Sequence, residues 1–445
     1  MKTYFVSKKN FIRALSVFIP IFTASVYLFA LALRETGFLS AALITAVVVL
    51  LAAVFLIALW RSGCFSSLRG LTVIMIAFAG LLLLRIALFD HVTLDYVNFL
   101  KPWLDHIGSH GGFRALSDQI GNYNIPYLAF LAFISYIPVT GLYLIKLFSV
   151  VFDVVLAFYL MKLASLYTSD RRLHIACFIL ALVLPTSILN GALWGQCDSV
   201  YTAFAVIALY YGLNGRPVLS VSAIAVSFSF KLQAVFILPV FLLFLFSGKI
   251  KLRHLPVFPA VFFACNLPAI FAGRPVWGCL TIYFNQLDTV GSGLNYNSPS
   301  IYSLFNYYHN TEFAAKLGII AAFALCAVIF LLAFIKRRNL SNTALLAAAL
   351  IFVVGIPLFL PHMHDRYFFM ADVLLVLLAV IRPMYTPLPF LGSFASLLGY
   401  HAYLKMRYFL PMRYGFLALA IVLAALFVFF QKSLKTIAHT SLPDD

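Results

Sequence analysis

Apolar runs of the length that crosses a bilayer, about 17–25 residues, recur from one end of this chain to the other; 11–33, 39–60, 71–89, 314–335 and 411–430 are examples. In hydrocarbon a backbone N–H or C=O finds no water, so each run must satisfy itself as an α-helix. The fold class that follows is an all-α, polytopic transmembrane helical bundle of about fourteen spans. Composition agrees: 64% of the residues are hydrophobic and only 10% charged, against about 25% charged in a soluble domain.

The formal charge of +17 does not read as a nucleic-acid footprint. The basic residues stand in short clusters between apolar runs, with no basic domain or arm, a pattern that in a membrane protein sets orientation. Cys64, Cys177, Cys197, Cys265, Cys279 and Cys326 show no metal or redox spacing and read as packing residues. Lys2, Lys8, Lys9 and Arg13 precede an apolar stretch of about 23 residues, longer than the apolar part of a cleavable signal, so it reads as a retained first span.

With residues 1–10 cytoplasmic, Arg61 and Arg69 fall inside and 71–89 delivers the polar loop 90–125 to the outer face. The next apolar piece, 126–137, is about twelve residues, too short to span and suited to the interface. If it stays outside and 142–164 crosses inward, the clusters at Arg171 and Arg172, at Lys249, Lys251 and Arg253, and at Lys336, Arg337 and Arg338 all land inside. Further spans are expected at 174–190, 199–212, 217–230, 233–247, 255–273, 342–360, 367–382 and 386–403, with both termini cytoplasmic. Most acids then lie outside, Asp288 among them. Lys405, Arg407 and Arg413 break the pattern, because the map puts them on the outer side.

Charge at bilayer depth costs at least about 2.5–3.5 kcal/mol on insertion scales, so polar residues in so apolar a chain are informative. The map gathers LDYVNFLKPW (94–103), GNYNIPY (121–127), NGALWGQCDS (190–199), the stretch from Asn295 to Ser300 and PHMHDRYFF (361–369) on the outer face, with Lys231 and Gln233 at the outer end of a hairpin. Carboxylates, amides, aromatics, histidines and cations together suit a polyhydroxylated, phosphate-bearing substrate at the membrane edge.

Asp95 has two readings: the N-cap of an interfacial helix anchored by Tyr96, Phe99 and Trp103, or a general base at the water–lipid boundary, with Asp90 and Asp105 as competitors. Lys146 and Asp153, two helical turns apart, share one face; a structural pairing, for instance with Arg85, stands beside a functional role. Lys231 can snorkel or contact phosphate. In HMHDR (362–366), His362, His364 and Asp365 are metal-ligand types, and Arg366 suits phosphate through its bidentate guanidinium. No Walker loop or dinucleotide fingerprint occurs, so a nucleotide-sugar or ATP has no recognisable site.

DY..FLKPW after a span, GNYNIPY opening a short interfacial helix, WGQ.D, and the late outer segment H.RY resemble, in order, the GT-C superfamily of integral-membrane glycosyltransferases. The likeness is nearer to bacterial proteins related to the GPI-anchor second mannosyltransferase and more distant to dolichyl-phosphate-glucose-dependent glucosyltransferases. It covers roughly 71–382, leaving two N-terminal helices in 1–70 and the C-terminal helices and tail in 383–445. Two departures are Cys197 inside the WGQ motif and Asp365 in place of glutamate before Arg366.

The resemblance implies inverting transfer of one hexose, of mannose or glucose type, from a polyprenyl-phosphate-linked donor to a lipid-linked or cell-envelope glycan acceptor on the extracytoplasmic face. It makes Asp95 the catalytic base, puts His364 and Arg366 near the donor phosphate, and lines the cavity with Trp194, Gln196 and Asp198; Lys231 is added as a second phosphate candidate from its place at a helix end, and Tyr96, Trp103, Asn122 and Tyr123 as further acceptor-side candidates from the same outer motifs. No cofactor is required, though a divalent metal is compatible. The rival class is a polytopic transporter or flippase for lipid-linked sugars, a class that often shows repeated halves and helices broken near the midplane; no internal repeat is seen here and the polar residues gather at the outer ends rather than the centre, while a non-catalytic scaffold explains the polar outer loops poorly.

Overall fold

The computed structural model describes residues 6–283, 293–305, 311–336 and 340–435. Lys2, Asp288, Arg337 and Arg338 of the charge map lie outside the described residues. The helices begin where short polar side chains or prolines favour a start. Ser7 Oγ accepts from Asn10 N ahead of α1 (Lys8–Leu31), Ser67 Oγ accepts from Gly70 N ahead of α3 (Leu68–Ala87), and between them runs α2 (Phe38–Arg61). The stretch between α3 and the next long helix holds α4 (Lys101–Ser109) and α5 (Ile125–Ile134), the latter with a proline in its first turn. Next come α6 (Gly141–Ala164) and α7 (Arg171–Val183), whose first turn is capped by Asp170.

Pro185 stops α7. The residue before a proline avoids the helical region, and Leu184 is turned out of it, so α8 (Pro185–Ile188) continues at a 48° bend. After it stand α9 (Asp198–Leu213), α10 (Pro217–Phe230), α11 (Pro239–Phe246), α12 (Val257–Phe271) and α13 (Val276–Leu280). The chain closes with α14 (Thr311–Ile335), α15 (Asn342–Phe359), α16 (Phe369–Ile381), α17 (Pro387–Leu404) and α18 (Arg413–Lys435). The two strands among the described residues, β1 (Asn295–Tyr296) and β2 (Met363–His364), pair in parallel with Tyr296 opposite His364.

The protein is therefore all-α with eight helices long and apolar enough to cross a membrane among the described residues, or nine if the bent pair 171–194 is one span. Every apolar segment expected from the sequence is helical, but several are short. Helices α9 and α10 have 16 and 14 residues, a rise of about 24 and 21 Å against a hydrocarbon thickness of about 30 Å. The segment expected at 126–137 is the ten-residue α5, likewise too short to span.

Packing divides the chain into two compact units, one within Met1–Ala203 and Pro268–Arg274, the other within Phe204–Leu267 and Pro275–Asp445. The division falls inside the segment 71–382 that the sequence reading treats as one core. In the first unit α1 packs on α2 and α3, and α6 packs on α7. In the second, α15 packs on α14, α16 and α18. Its apolar window is 83% buried where that of α14 is 22% buried, so α15 is the spine of that unit and α14 leaves most of its surface for lipid.

Candidate functional site

The first unit carries a polar cluster built from three loops. Helix α3 ends with the Lys146 ammonium against it: Nζ donates to the carbonyls of Leu88, Phe89 and His91 at 3.0, 2.8 and 2.6 Å. The chain then turns into the short helix that carries Asp95. Asp95 stands at the N-cap position of that helix, but its carboxylate makes no capping bond. Instead Asp95 Oδ2 accepts from Trp194 Nε1 at 2.8 Å and from Gln196 Nε2 at 2.6 Å. Two donors on one oxygen fix the direction of a carboxylate, the requirement for a positioned base.

The loop that supplies those donors is held from several sides. Thr93 Oγ1 donates to the Trp194 carbonyl and Ser149 Oγ to that of Gln196. Asn190 Nδ2 donates to Asp198 Oδ2 at 2.7 Å, and Gln196 N donates to the Asn190 carbonyl. Gly195, between the two donors, sits at φ 82°, a conformation that costs glycine nothing. Tyr123 OH donates to Gln196 Oε1 at 3.1 Å, and its ring meets Trp103 edge-on at 5.1 Å. Gly121, at φ 54°, lies beneath the Trp103 indole with no room for a Cβ. GNY and the tryptophan of LKPW are thus one packed unit.

Both π-helical turns among the described residues, Tyr96–Leu100 and Leu189–Trp194, fall in this cluster. Such turns are frequent at functional sites because the wider winding re-aims side chains.

Of the residues named from the sequence, Asp95, Trp194, Gln196, Tyr123 and Trp103 come together. Asp198 is buried behind the loop, bonded to Asn190, and acts as a brace rather than a lining residue. Tyr96 is buried as well, and burial raises its hydroxyl pKa. Asn122 is exposed. The competing carboxylates have other work. Asp90 accepts from Tyr143 OH at 2.6 Å and from Arg34 N, and Asp105 forms an exposed pair with Lys101. Asp118 is held below the usual carboxylate range by His106, then by Ser117.

Arg85 and Asp153 do pair, at 3.0 Å with neither side chain exposed, and Arg85 also donates to the Leu182 carbonyl. A buried pair needs such extra bonds to offset desolvation. Ser149 and Thr93 lie outside every motif named from the sequence, and Asn190 is named only as the first residue of NGALWGQCDS. Their one signal is position, each being a small polar residue inside or beside an apolar run.

In the second unit, the strand pairing sets the Tyr296 ring on that of His364 at 4.7 Å, and His364 meets Tyr367 at 5.3 Å. Tyr367 touches Phe236, so the turn that follows Lys231 reaches the HMHDR loop. Lys231 is buried at the end of α10. Arg366 Nη1 stands 3.5 Å from Asp365 Oδ1, the outer limit of a hydrogen bond, and the guanidinium is partly exposed. His362 Nδ1 is 2.7 Å from the Gly293 carbonyl. Among the described residues no group of three or more His, Cys, Asp and Glu gathers as a metal site. All six cysteines are free, four of them buried.

Comparison of the chain with protein-family models and with curated proteins finds no match.

Proposed function

We propose that this protein is a membrane glycosyltransferase of the GT-C type, with fourteen spans, both termini cytoplasmic and the reaction on the extracytoplasmic face. It transfers one hexose, of mannose or glucose type, from a polyprenyl-phosphate-linked donor to a lipid-linked or cell-envelope glycan acceptor. The observation that carries the reading is the Asp95 carboxylate held by Trp194 and Gln196, side chains of two motifs about a hundred residues apart. A carboxylate that only capped a helix has no need of two donors from a distant loop.

In this reading the acceptor hydroxyl gives its proton to Asp95 as its oxygen attacks the anomeric carbon from the face opposite the phosphate. The bond from that carbon to the phosphate oxygen breaks, and the lipid phosphate leaves with the electron pair. General-base help of this kind is worth about 10²–10⁴-fold. Arg366, His364 and Lys231 of the second unit are assigned to the donor's phosphate, whose charge needs a cation wherever water is thinned out. The fully buried charges of the first unit argue against transport, since Arg85, Asp153 and Lys146 are engaged in joining helices.

The test is incubation of the purified protein with a panel of mannosyl and glucosyl polyprenyl phosphates and an envelope-lipid extract as acceptor, with mass analysis for released polyprenyl phosphate. Release from one sugar lipid, dependent on acceptor, supports the reading; no release from any of them overturns it.

A further inference from the structure

The loop Lys405–Met412 joins α17 to α18. It and the start of α18 carry Lys405, Arg407 and Arg413, and no Asp or Glu occurs in the sequence between Asp372 and Asp444. Its apolar side chains are bared as well: Met406 is 72% exposed, Phe409 71% and Tyr408 60%. Cations beside exposed aromatic and apolar side chains make the composition of a headgroup-level contact, the rings sitting at the interface and the charges meeting phosphate.

The same loop walls a cleft of about 580 Å³, faced across by Asn295, Asn297, Tyr302 and Phe305. The opposite wall is preformed. Tyr408 OH donates to Asn297 Oδ1 at 2.6 Å, tying the two sides together. Gly399 of α17 lies against the Asn297 carbonyl and Gly415 of α18 against Pro299, both too close for a Cβ. The segment 295–300 is therefore laid directly on two helices, and the exposed Lys405, Arg407 and Arg413 flank Tyr408–Met412, the stretch of the loop that lines the cleft.

We propose that this cleft is a binding site for an anionic glycerophospholipid: its phosphate is neutralised by Lys405, Arg407 and Arg413, its polar headgroup lies against Asn295, Asn297 and Tyr408, and its acyl chains run over Phe409 and Leu410. Charge complementarity and the bared apolar surface choose a lipid over a soluble anion, which has no use for Phe409. The site does not depend on the glycosyl-transfer reading. It also accounts for three cations on the side where the positive-inside pattern does not want them: they are retained as ligands rather than as orientation signals.

The experiment uses the full chain, delipidated in neutral detergent and incubated with phosphatidylglycerol, phosphatidylcholine, polyprenyl phosphate or inorganic phosphate, with native mass spectrometry counting bound molecules. Phosphatidylglycerol should bind at one lipid per chain in clear preference to phosphatidylcholine. Neutralising all three cations (Lys405→Gln, Arg407→Gln, Arg413→Gln) should weaken it by about 10²-fold, each basic residue near a headgroup being worth about a factor of 5. The matched control Lys249→Gln, Lys251→Gln, Arg253→Gln should leave it unchanged, and Phe409→Ser should weaken it with all charges kept. Equal retention of both phospholipids, an unaffected triple variant, a control that loses binding equally, a triple variant that loses polyprenyl phosphate as fully as phosphatidylglycerol, or displacement of the lipid by inorganic phosphate each overturns the proposal.

Discussion

The indole nitrogen of Trp194 and the carboxylate of Asp95 meet at 2.8 Å although 99 positions separate them in the chain. That contact, doubled by Gln196, turns two sequence motifs into one site and defines what to perturb first.

Asp95→Asn keeps the shape of the side chain and removes the base. Turnover should fall by at least about 10²-fold with donor binding largely retained. Asp90→Asn and Asp105→Asn should leave turnover near the wild-type value, because their carboxylates serve Tyr143 and Lys101. If Asp95→Asn turns over normally while either of the others does not, the base is that other residue.

Trp194→Phe keeps a ring in the buried slot but deletes one of the two donors on Asp95. A hydrogen bond to a charged group contributes about 1.5–3 kcal/mol; with Gln196 still in place, a loss of about 10-fold in kcat is expected. Gln196→Leu in the same protein should bring the loss close to that of Asp95→Asn. Thermal melts separate this from unfolding: both variants should melt near the wild-type temperature at the point where kcat has dropped.

The Arg85–Asp153 pair predicts a stability effect with a rescue. Arg85→Met leaves a buried carboxylate without its cation and should cost about 3–5 kcal/mol, whereas Arg85→Met with Asp153→Leu should recover most of it. Melting of the detergent-solubilised protein reads both. A double variant less stable than the single one would mean that the pair contributes net stability.

Arg366→Lys retains charge but gives up the bidentate fork, and Arg366→Ala gives up both, so donor affinity should fall in that order. The loss should appear for the sugar-charged lipid and for free polyprenyl phosphate alike. An Arg366→Ala protein that binds both lipids like wild type removes the residue from the site and leaves it as the partner of Asp365.

Sidedness is tested by cysteines introduced singly and labelled with an impermeant reagent on intact cells. Positions in 90–141 and 361–366 should react, and positions in 165–173 and 248–254 should not. Labelling of position 170 from outside would overturn the map.

The helical class was legible because the bilayer imposes it: a run such as 39–60 has one way to satisfy its backbone, and α2 covers it. Span number was less so, because hydropathy does not say where a helix stops; Pro185 breaks an apolar stretch, and the residue that turns is the leucine before it. The site was legible as a set of motifs but not as a geometry. Nothing in DY..FLKPW says that the carboxylate faces Gln196 rather than its own helix, and nothing in WGQ.D says that Asp198 turns inward to Asn190. Those directions are decided by winding, including two π turns that carry no residue signature.

Lys146 gives the first unit an internal reference point. Three carbonyls around Nζ take up the three protons of an ammonium, so the side chain behaves as a tethered ion plugging the negative end of α3. The backbone it grips runs from Leu88 to His91, and Asp95 is the next charged residue along. One turn onward Ser149 holds the Gln196 carbonyl, and another turn brings Asp153 to Arg85. Helix α6 therefore works as a ruler with three marks on one edge: it sets the height at which the Asp95 loop departs, the height at which the Trp194 loop returns, and the depth at which α3 is locked. A shift of α6 by a single turn, about 5.4 Å, would slide both halves of the cluster together, so the distance between the Asp95 carboxylate and its two donors is insulated from movement of the helix that carries them.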